Sequence, residues 1–255
     1  IRSEESRRYV VPSAPGKRFD GDTKVTDMLY SCYEAAEAGQ EFDGKLQAIK
    51  ERFQEIIRGL SLELSLDSEF EQIAADFSAH AGKEYAASRG EFLNGKVMAA
   101  YLGYEFVDAA EVIVFCEDGS FDMDKTTEVL GERLKDMKNA VIPGLYGALP
   151  DGHVITFSRG GSDITGSLVA AAIHADIYEN WTGVTGFLVT DPRIVLNPEV
   201  IETITYRELR ELSYMGATVL HEEAIFPVRK EGIPINIRNT NAPEDKGTLI
   251  VESTC

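Results

Sequence analysis

Apolar residues along the chain fall into two alternating rhythms. Tyr9-Val10-Val11, Val107, residues 112–115, Ala140-Val141-Ile142 and Ile233–Ile237 are runs of strand length. Between them, apolar positions recur at three- and four-residue spacing, which predicts helices. Leu46, Ile49, Phe53, Ile56, Ile57 and Leu60 form one such stripe, and Phe70, Ile73, Ala74 and Phe77 a second. A helix is expected around Thr127–Met137, and others over Tyr206–Met215 and His221–Lys230. Asp176–Trp181 reads as a strand, Gly186–Arg193 as a loop or hairpin, and Asn239–Gly247 as a polar loop after the last strand. Strands alternating with helices predict an α/β fold with a mainly parallel sheet covered on both faces. The expected unit is one domain over residues 1–255, with a helical segment near residues 42–101.

The clearest single stretch is His153–Asp176. Val154, Ile155 and Phe157 suggest a short strand, and residues 158–163 a tight turn. Ile164, Leu168, Val169, Ala172 and Ile173 then share a helix face. Ser162 suits the N-cap and Asp163 the first turn. Ser88-Arg89-Gly90-Glu91 lies between two helical patterns. A glycine inside a helix costs roughly 1 kcal/mol relative to alanine, so this one predicts a break or a close approach.

Charge and composition narrow the function. The 255 residues carry 43 acidic against 25 basic side chains, a formal charge of −18. Nucleic-acid binding needs a basic face to displace phosphate counterions, so that class is excluded. No apolar run is long enough for a bilayer span, and no membrane partner is expected. Cys32, Cys116 and Cys255 show no CxxC spacing, and His80, His153, His174 and His221 are equally scattered. That pattern predicts reduced thiols in a cytoplasmic protein and no metal site of its own.

Loops at the carboxyl ends of parallel strands are where open α/β sheets bind ligands. Ser13, Lys17, Lys24 and Thr26 follow the first strand, and Pro143-Gly144-Leu145-Tyr146-Gly147 a later one. Gly160 and Gly161 remove two β-carbons where the backbone comes close to something. The helix start behind them offers free N–H groups and a positive dipole end to an anion. Arg159 adds a planar fork for a carboxylate or phosphate. A plain capped turn explains the same residues, and no GxxxxGK[ST] or GxGxxG pattern is present. Thr26 reads equally as a helix cap, Trp181 as core, and Arg193 as a surface arginine or a phosphate contact. By its residues alone, Glu91 fits an exposed first-turn glutamate better than a ligand for an ammonium.

Several motifs taken together change the balance. SAPGK with KVTD (residues 13–17 and 24–27), SRGE (88–91), PGLYG (143–147), SRGGSDITG (158–166), WTGVTGFLVTDPR (181–193) and GATVLHEEAIFPV (216–228) resemble the aspartate kinases in order and spacing. The resemblance implies the amino-acid kinase fold, a three-layer α/β/α sandwich. It implies transfer of the ATP γ-phosphoryl group, with Mg2+, to the side-chain carboxylate of L-aspartate. That gives 4-phospho-L-aspartate, the first step toward lysine, threonine and methionine. Carried over by motif, Ser13, Thr26, Glu91, Arg159 and Ser162 would hold the amino acid. Gly160 and Gly161 would lie near the transferred group, and Asp163 would organise the catalytic charges. Thr182, Gly183, Arg193 and Thr218 would bind ATP. Subunit pairing into a homodimer or higher assembly is also implied.

The sequence departs from the family pattern in places. Gly183 stands where an Asp is usual, Leu188 where a Tyr is frequent, and Thr218 where a Lys is frequent. The family's first strand, with a phosphate-contacting lysine, and its C-terminal ACT regulatory domains lie outside these 255 residues, so weak or absent turnover is expected of them alone. The alternatives are a relative acting on glutamate, carbamate or a nucleotide, and a non-catalytic ATP- or amino-acid-binding module.

Overall fold

The structure, a computed structural model, describes residues 1–158, 160–190, 194–196, 198–214, 220 and 222–253, without the side chains of Tyr214, Glu222 and Glu223. The chain folds as two compact units, Ile1–Thr165 and Gly166–Cys255.

The first unit opens with β1 (Tyr9–Val10), α1 (Val25–Glu37), α2 (Asp43–Gly59), α3 (Asp67–Ser78) and α4 (Lys83–Leu102). The expected helical stripes are real. Ile49, Phe53, Phe70, Ile73 and Phe77 pack with Val25, Leu29, Cys32 and Leu93 into one core. Of the two outcomes expected at residues 88–91, a break or a close approach, the break does not occur: α4 runs unbroken through Ser88–Glu91. Its hydrophobic pattern is blurred because it is buried on nearly every side, so no polar stripe marks its course. It ends where Gly103 takes a left-handed backbone at φ +70.

Next come β2 (Glu105–Phe106), α5 (Ala109–Val112), α6 (Met123–Leu134) and β3 (Ala140–Val141). Asp108 caps α5 by accepting the Ala110 N–H, and Asp122 caps α6 by accepting that of Lys125. Residues 112–115 therefore form the end of a short helix and two isolated bridge residues, rather than the strand expected. β1 and β2 flank β3, both parallel to it. A hairpin of β4 (Tyr146–Ala148) and β5 (Val154–Thr156) follows, turning at Asp151-Gly152 as anticipated. α7 (Gly161–Ala172) begins at the doubled glycine, two residues earlier than an N-cap at Ser162 would give.

In the second unit, β6 (Tyr178–Thr182), β7 (Thr203–Thr205), α8 (Tyr206–Tyr214), α9 (Glu222–Lys230), β8 (Ile235–Asn239) and β9 (Thr248–Val251) follow. The sheet order is β6-β8-β9-β7, with only β8 and β9 antiparallel. β8 is thus not the last strand. β9 and β7 were hidden by their brevity and by the polar residues that surround them. Its core contains Leu209, Leu220, Ile225, Val228, Ile235, Ile237 and Ile250. Among the described residues four of the six strand pairings are parallel, so the α/β class and mainly parallel pairing hold. Among the described residues no helix is long and apolar enough to cross a membrane.

Candidate active site

Parallel pairing of β1 and β3 delivers two loops side by side. The Gly144 N–H donates to the Pro12 carbonyl at 3.1 Å, tying the loop after β3 to the loop after β1. Both meet the start of α7. Ser13 Oγ donates to Ser162 Oγ at 2.9 Å. A β-carbon on Gly144 would stand 2.5–2.8 Å from Ser162, so only glycine lets the two segments meet.

The two glycines of the turn have different reasons to be glycine. Gly160 has φ +57, a left-handed backbone that β-carbons disfavour. Gly161 has no such angle; a β-carbon there would come within 2.8 Å of the Leu145 Cα. Leu145 itself is held at φ +84, a strained angle for a leucine, while its carbonyl accepts the Phe157 N–H at 2.9 Å. The first intrahelical bond runs from Ile164 N–H to the Gly160 carbonyl at 2.9 Å. The amides of Gly161, Ser162 and Asp163 therefore lie in the first turn, where a helix has no internal acceptor for them. Asp163 is in that turn, as its sequence position suggested.

α4 forms the other wall. A β-carbon on Gly90 would lie 2.7 Å from the Ala14 Cβ, so this glycine marks close approach by the Ser13-Ala14 loop and not a helix break. Asn94 donates to the Ser13 carbonyl at 2.7 Å. Glu91 is 6 % exposed, which overturns the reading of it as a surface glutamate. Burial pushes its carboxyl up to about 7, while the backbone N–H groups of Glu91 and Ala14 and the charge of Arg89 pull the other way. Among the described residues its Oε2 is buried without a hydrogen-bond partner. A buried carboxyl oxygen in that state is an acceptor awaiting a donor.

Arg89, on the same helix, is equally buried. Its guanidinium lies 4.4 Å from the Phe92 ring centre, 4.5 Å from that of Tyr85 and 5.3 Å from that of Tyr146. Nε donates to Ser88 Oγ at 3.0 Å, and one terminal nitrogen is buried without a partner among the described residues. Tyr146 is fully buried and donates to Asp108 Oδ1 at 2.7 Å.

The remaining expected residues divide as follows. Thr26 is half-buried in the first turn of α1; its neighbour Val25 packs near Gly90. Thr26 does not cap α1, whose N-cap is Lys24. Lys17 and Lys24 are exposed. In the second unit, Thr182 ends β6 and its carbonyl accepts the Thr240 N–H and hydroxyl at 2.8 and 3.1 Å. Gly183 follows it, exposed, in open space. Trp181 is half-buried, with Nε1 donating to Glu179 at 3.1 Å and the Arg238 guanidinium 5.0 Å from its ring. Arg159, Arg193 and Thr218 lie outside the described residues. His80, His153 and His174 sit on the surface beside Glu37, Asp151 and Glu231. Among the described residues no group of three or more His, Cys, Asp or Glu side chains could hold a metal ion.

Sequence reasoning assigned no role to Asn94, Arg89, Tyr146 or Asp108. Asn94 had a usable signal, since it lies three residues beyond Glu91 and so on the same side of a helix. The aromatic cage around Arg89 draws Tyr146 from a distant strand, which no local pattern announces.

Relatives of this chain are found in sequence and in structure. Aspartokinase 3 of Bacillus subtilis is 40 % identical over 98 % of this chain and 58 % of its own length. A crystal structure of aspartate kinase from Clostridium acetobutylicum matches with a TM-score of 0.93 and 52 % identity, over 98 % of this chain and 57 % of that one. Aspartokinase III of E. coli in complex with aspartate and ADP matches with a TM-score of 0.81 and 27 % identity, over 99 % of this chain and 60 % of that one. The chain thus spans a little under three fifths of the curated relative and of the Clostridium structure. The pattern of the amino acid kinase family covers residues 1–239, and the chain belongs to that family.

Proposed function

We propose that the chain is the catalytic domain of an aspartate kinase, transferring the γ-phosphoryl group of ATP to the side-chain carboxylate of L-aspartate. The observation that carries the reading is Glu91. A buried carboxyl with an oxygen that has no partner among the described residues, beside the loop that bears Ser13, suits the ammonium of an amino acid. Aspartate also carries two carboxylates, which call for donors. Ser13 and Ser162 offer hydroxyls 2.9 Å apart, and Thr26 and Arg159 complete the proposed set. The aspartokinase relatives at 40 % and 52 % identity support the same substrate.

Phosphoryl transfer needs in-line positioning and neutralised charge more than covalent help. The first-turn amides of α7 at Gly161, Ser162 and Asp163 suit an anion, and Gly160 and Gly161 would lie near the transferred group. Thr182, Gly183, Arg193 and Thr218 are the proposed nucleotide contacts. Mg2+ supplies charge neutralisation and is usually held by one or two carboxylates together with substrate phosphates. Asp163 would organise the catalytic charges.

The test is ATP consumption by the full-length protein with aspartate and Mg2+, the acyl phosphate being trapped as a hydroxamate by hydroxylamine. Aspartate-dependent hydroxamate is expected, with little from glutamate or carbamate in the same panel. Turnover that prefers another acceptor would reject the reading.

A further inference from the structure

Arg52 projects from α2 and is 4 % exposed, unusual burial for a cation. Apart from the Met28 sulfur, 3.7 Å from Nη1, its acceptors belong to the loop between Ser13 and Thr26. Nη1 donates to the Thr23 carbonyl at 2.5 Å, and Nη2 donates to the Gly16 carbonyl. Nη2 also stands 3.2 Å from Asp22 Oδ2. Asp22 is held from the other side by Arg18, whose Nε lies 3.0 Å from the same oxygen and whose backbone N–H donates to it at 2.9 Å. These donors hold the Asp22 carboxyl well below the ordinary carboxylate range, Arg18 first. Outside this layer, Arg18 reaches Glu55 at 3.2 Å.

One planar guanidinium thus brings two carbonyls of one loop together and closes its neck. Residues 17–22 form the loop beyond that neck. The two gripped carbonyls are placed symmetrically. Gly16 comes three residues after Ser13, and Thr23 three residues before Thr26. Nearer the site, the Val25 N–H donates to the Pro15 carbonyl at 3.4 Å, a second rung. The separation of Ser13 and Thr26 is therefore set by this clamp.

We propose that Arg52 is a positioning residue for the amino-acid subsite, fixing the distance between the Ser13 and Thr26 hydroxyls by closing the neck of their loop; the inference rests on the reading of those hydroxyls as aspartate ligands. A lysine would keep the charge but lose the rigid fork that serves two carbonyls and a carboxylate at once. The loop would loosen, and both hydroxyls would drift from their working positions.

The experiment is steady-state kinetics on the full-length protein for Arg52→Lys and Asp22→Asn, with Glu55→Gln as the control on the exposed rim. For the first two, KM for aspartate is expected to rise about tenfold, because small misplacements of positioning groups are costly. Their KM for ATP and kcat should stay within about twofold, a split that general loosening of the fold would not produce. Glu55→Gln should match the parent. If Arg52→Lys does not fold, Asp22→Asn decides alone by the same split. Unchanged KM for aspartate in a parent enzyme that turns aspartate over would overturn the role of Arg52 only. Absence of aspartate turnover in the parent would overturn the substrate reading, and this inference with it.

Discussion

The Ser13 hydroxyl donates to the Ser162 hydroxyl at 2.9 Å, joining residues 149 positions apart in sequence. The bond is exposed, so its net worth to stability is at most about 1 kcal/mol. In the proposed site its value would lie in aligning two groups toward one ligand. Ser13→Ala and Ser162→Ala should each leave Tm nearly unchanged and lower kcat/KM for aspartate about tenfold. The double variant should lose less than the product of the two, because both remove the same arrangement. Fully multiplicative losses in a double-mutant cycle would mean the hydroxyls act independently.

Glu91 should give the protein opposite pH trends with and without ligand. The folded chain holds the Glu91 proton more tightly than the unfolded chain, with a pKa of about 7 against 4.5. Folding therefore takes up a proton between those values, and the stability of the free protein falls as pH rises across that window, by an amount of order 3 kcal/mol. An ammonium requires the carboxylate, so aspartate affinity should rise through the same window and binding near pH 7 should release a proton. Calorimetry in buffers of different ionisation enthalpy measures that proton. Glu91→Gln should flatten both trends, and a variant that keeps the affinity rise would assign it to another group.

Gly90→Ala opposes two effects of known size. Alanine gains about 1 kcal/mol in a helix interior. Its β-carbon, however, would meet the Ala14 Cβ at 2.7 Å, an atom with no rotamer to escape into, and overpacking costs about 1–3 kcal/mol. The net should be a modest loss of stability with a raised KM for aspartate. Gly44→Ala, in α2 with nothing within 4 Å, should be neutral or stabilising. Thermal melts of the pair check this, and equal stabilisation of both would show that the loop yields freely.

Arg89 separates charge from bulk. Replacing a buried ion by an apolar side chain of similar volume is often neutral or stabilising, so Arg89→Met should keep Tm. Arg89→Ala should lower it, because three rings lose their packing. Arg89 also draws the Glu91 carboxyl downward, so in Arg89→Met the pH at which aspartate affinity rises should move above 7. An unmoved profile would confine Arg89 to packing.

Much of this was legible beforehand, for physical reasons specific to each element. α2 and α3 have one wet face, so their apolar stripes stood out. The turn at Gly160 and Gly161 was visible because adjacent glycines between a strand and a helix answer to few other causes. Gly90 signals either a break or a close approach, and only the second holds: a helix buried all round has no polar stripe to show its continuity, and Gly90 serves a neighbour in space. Glu91 was misjudged for the same reason, since burial is a property of what packs around a residue. Arg52 sits inside a regular apolar stripe between Ile49 and Phe53 and looks like an interruption of it.

α4 also fixes what lengths the protein can change. Glu84 accepts the Thr156 N–H and hydroxyl at 3.2 Å, Gly90 seats Ala14, Glu91 offers its carboxyl, and Asn94 holds the Ser13 carbonyl. All four are marks on one rod, with about 1.5 Å of advance and about 100° of rotation between successive residues. Inserting or deleting a single residue between them would swing every later mark a quarter-turn out of line at once. Loops elsewhere can grow or shrink; this rod is the gauge against which the others are cut.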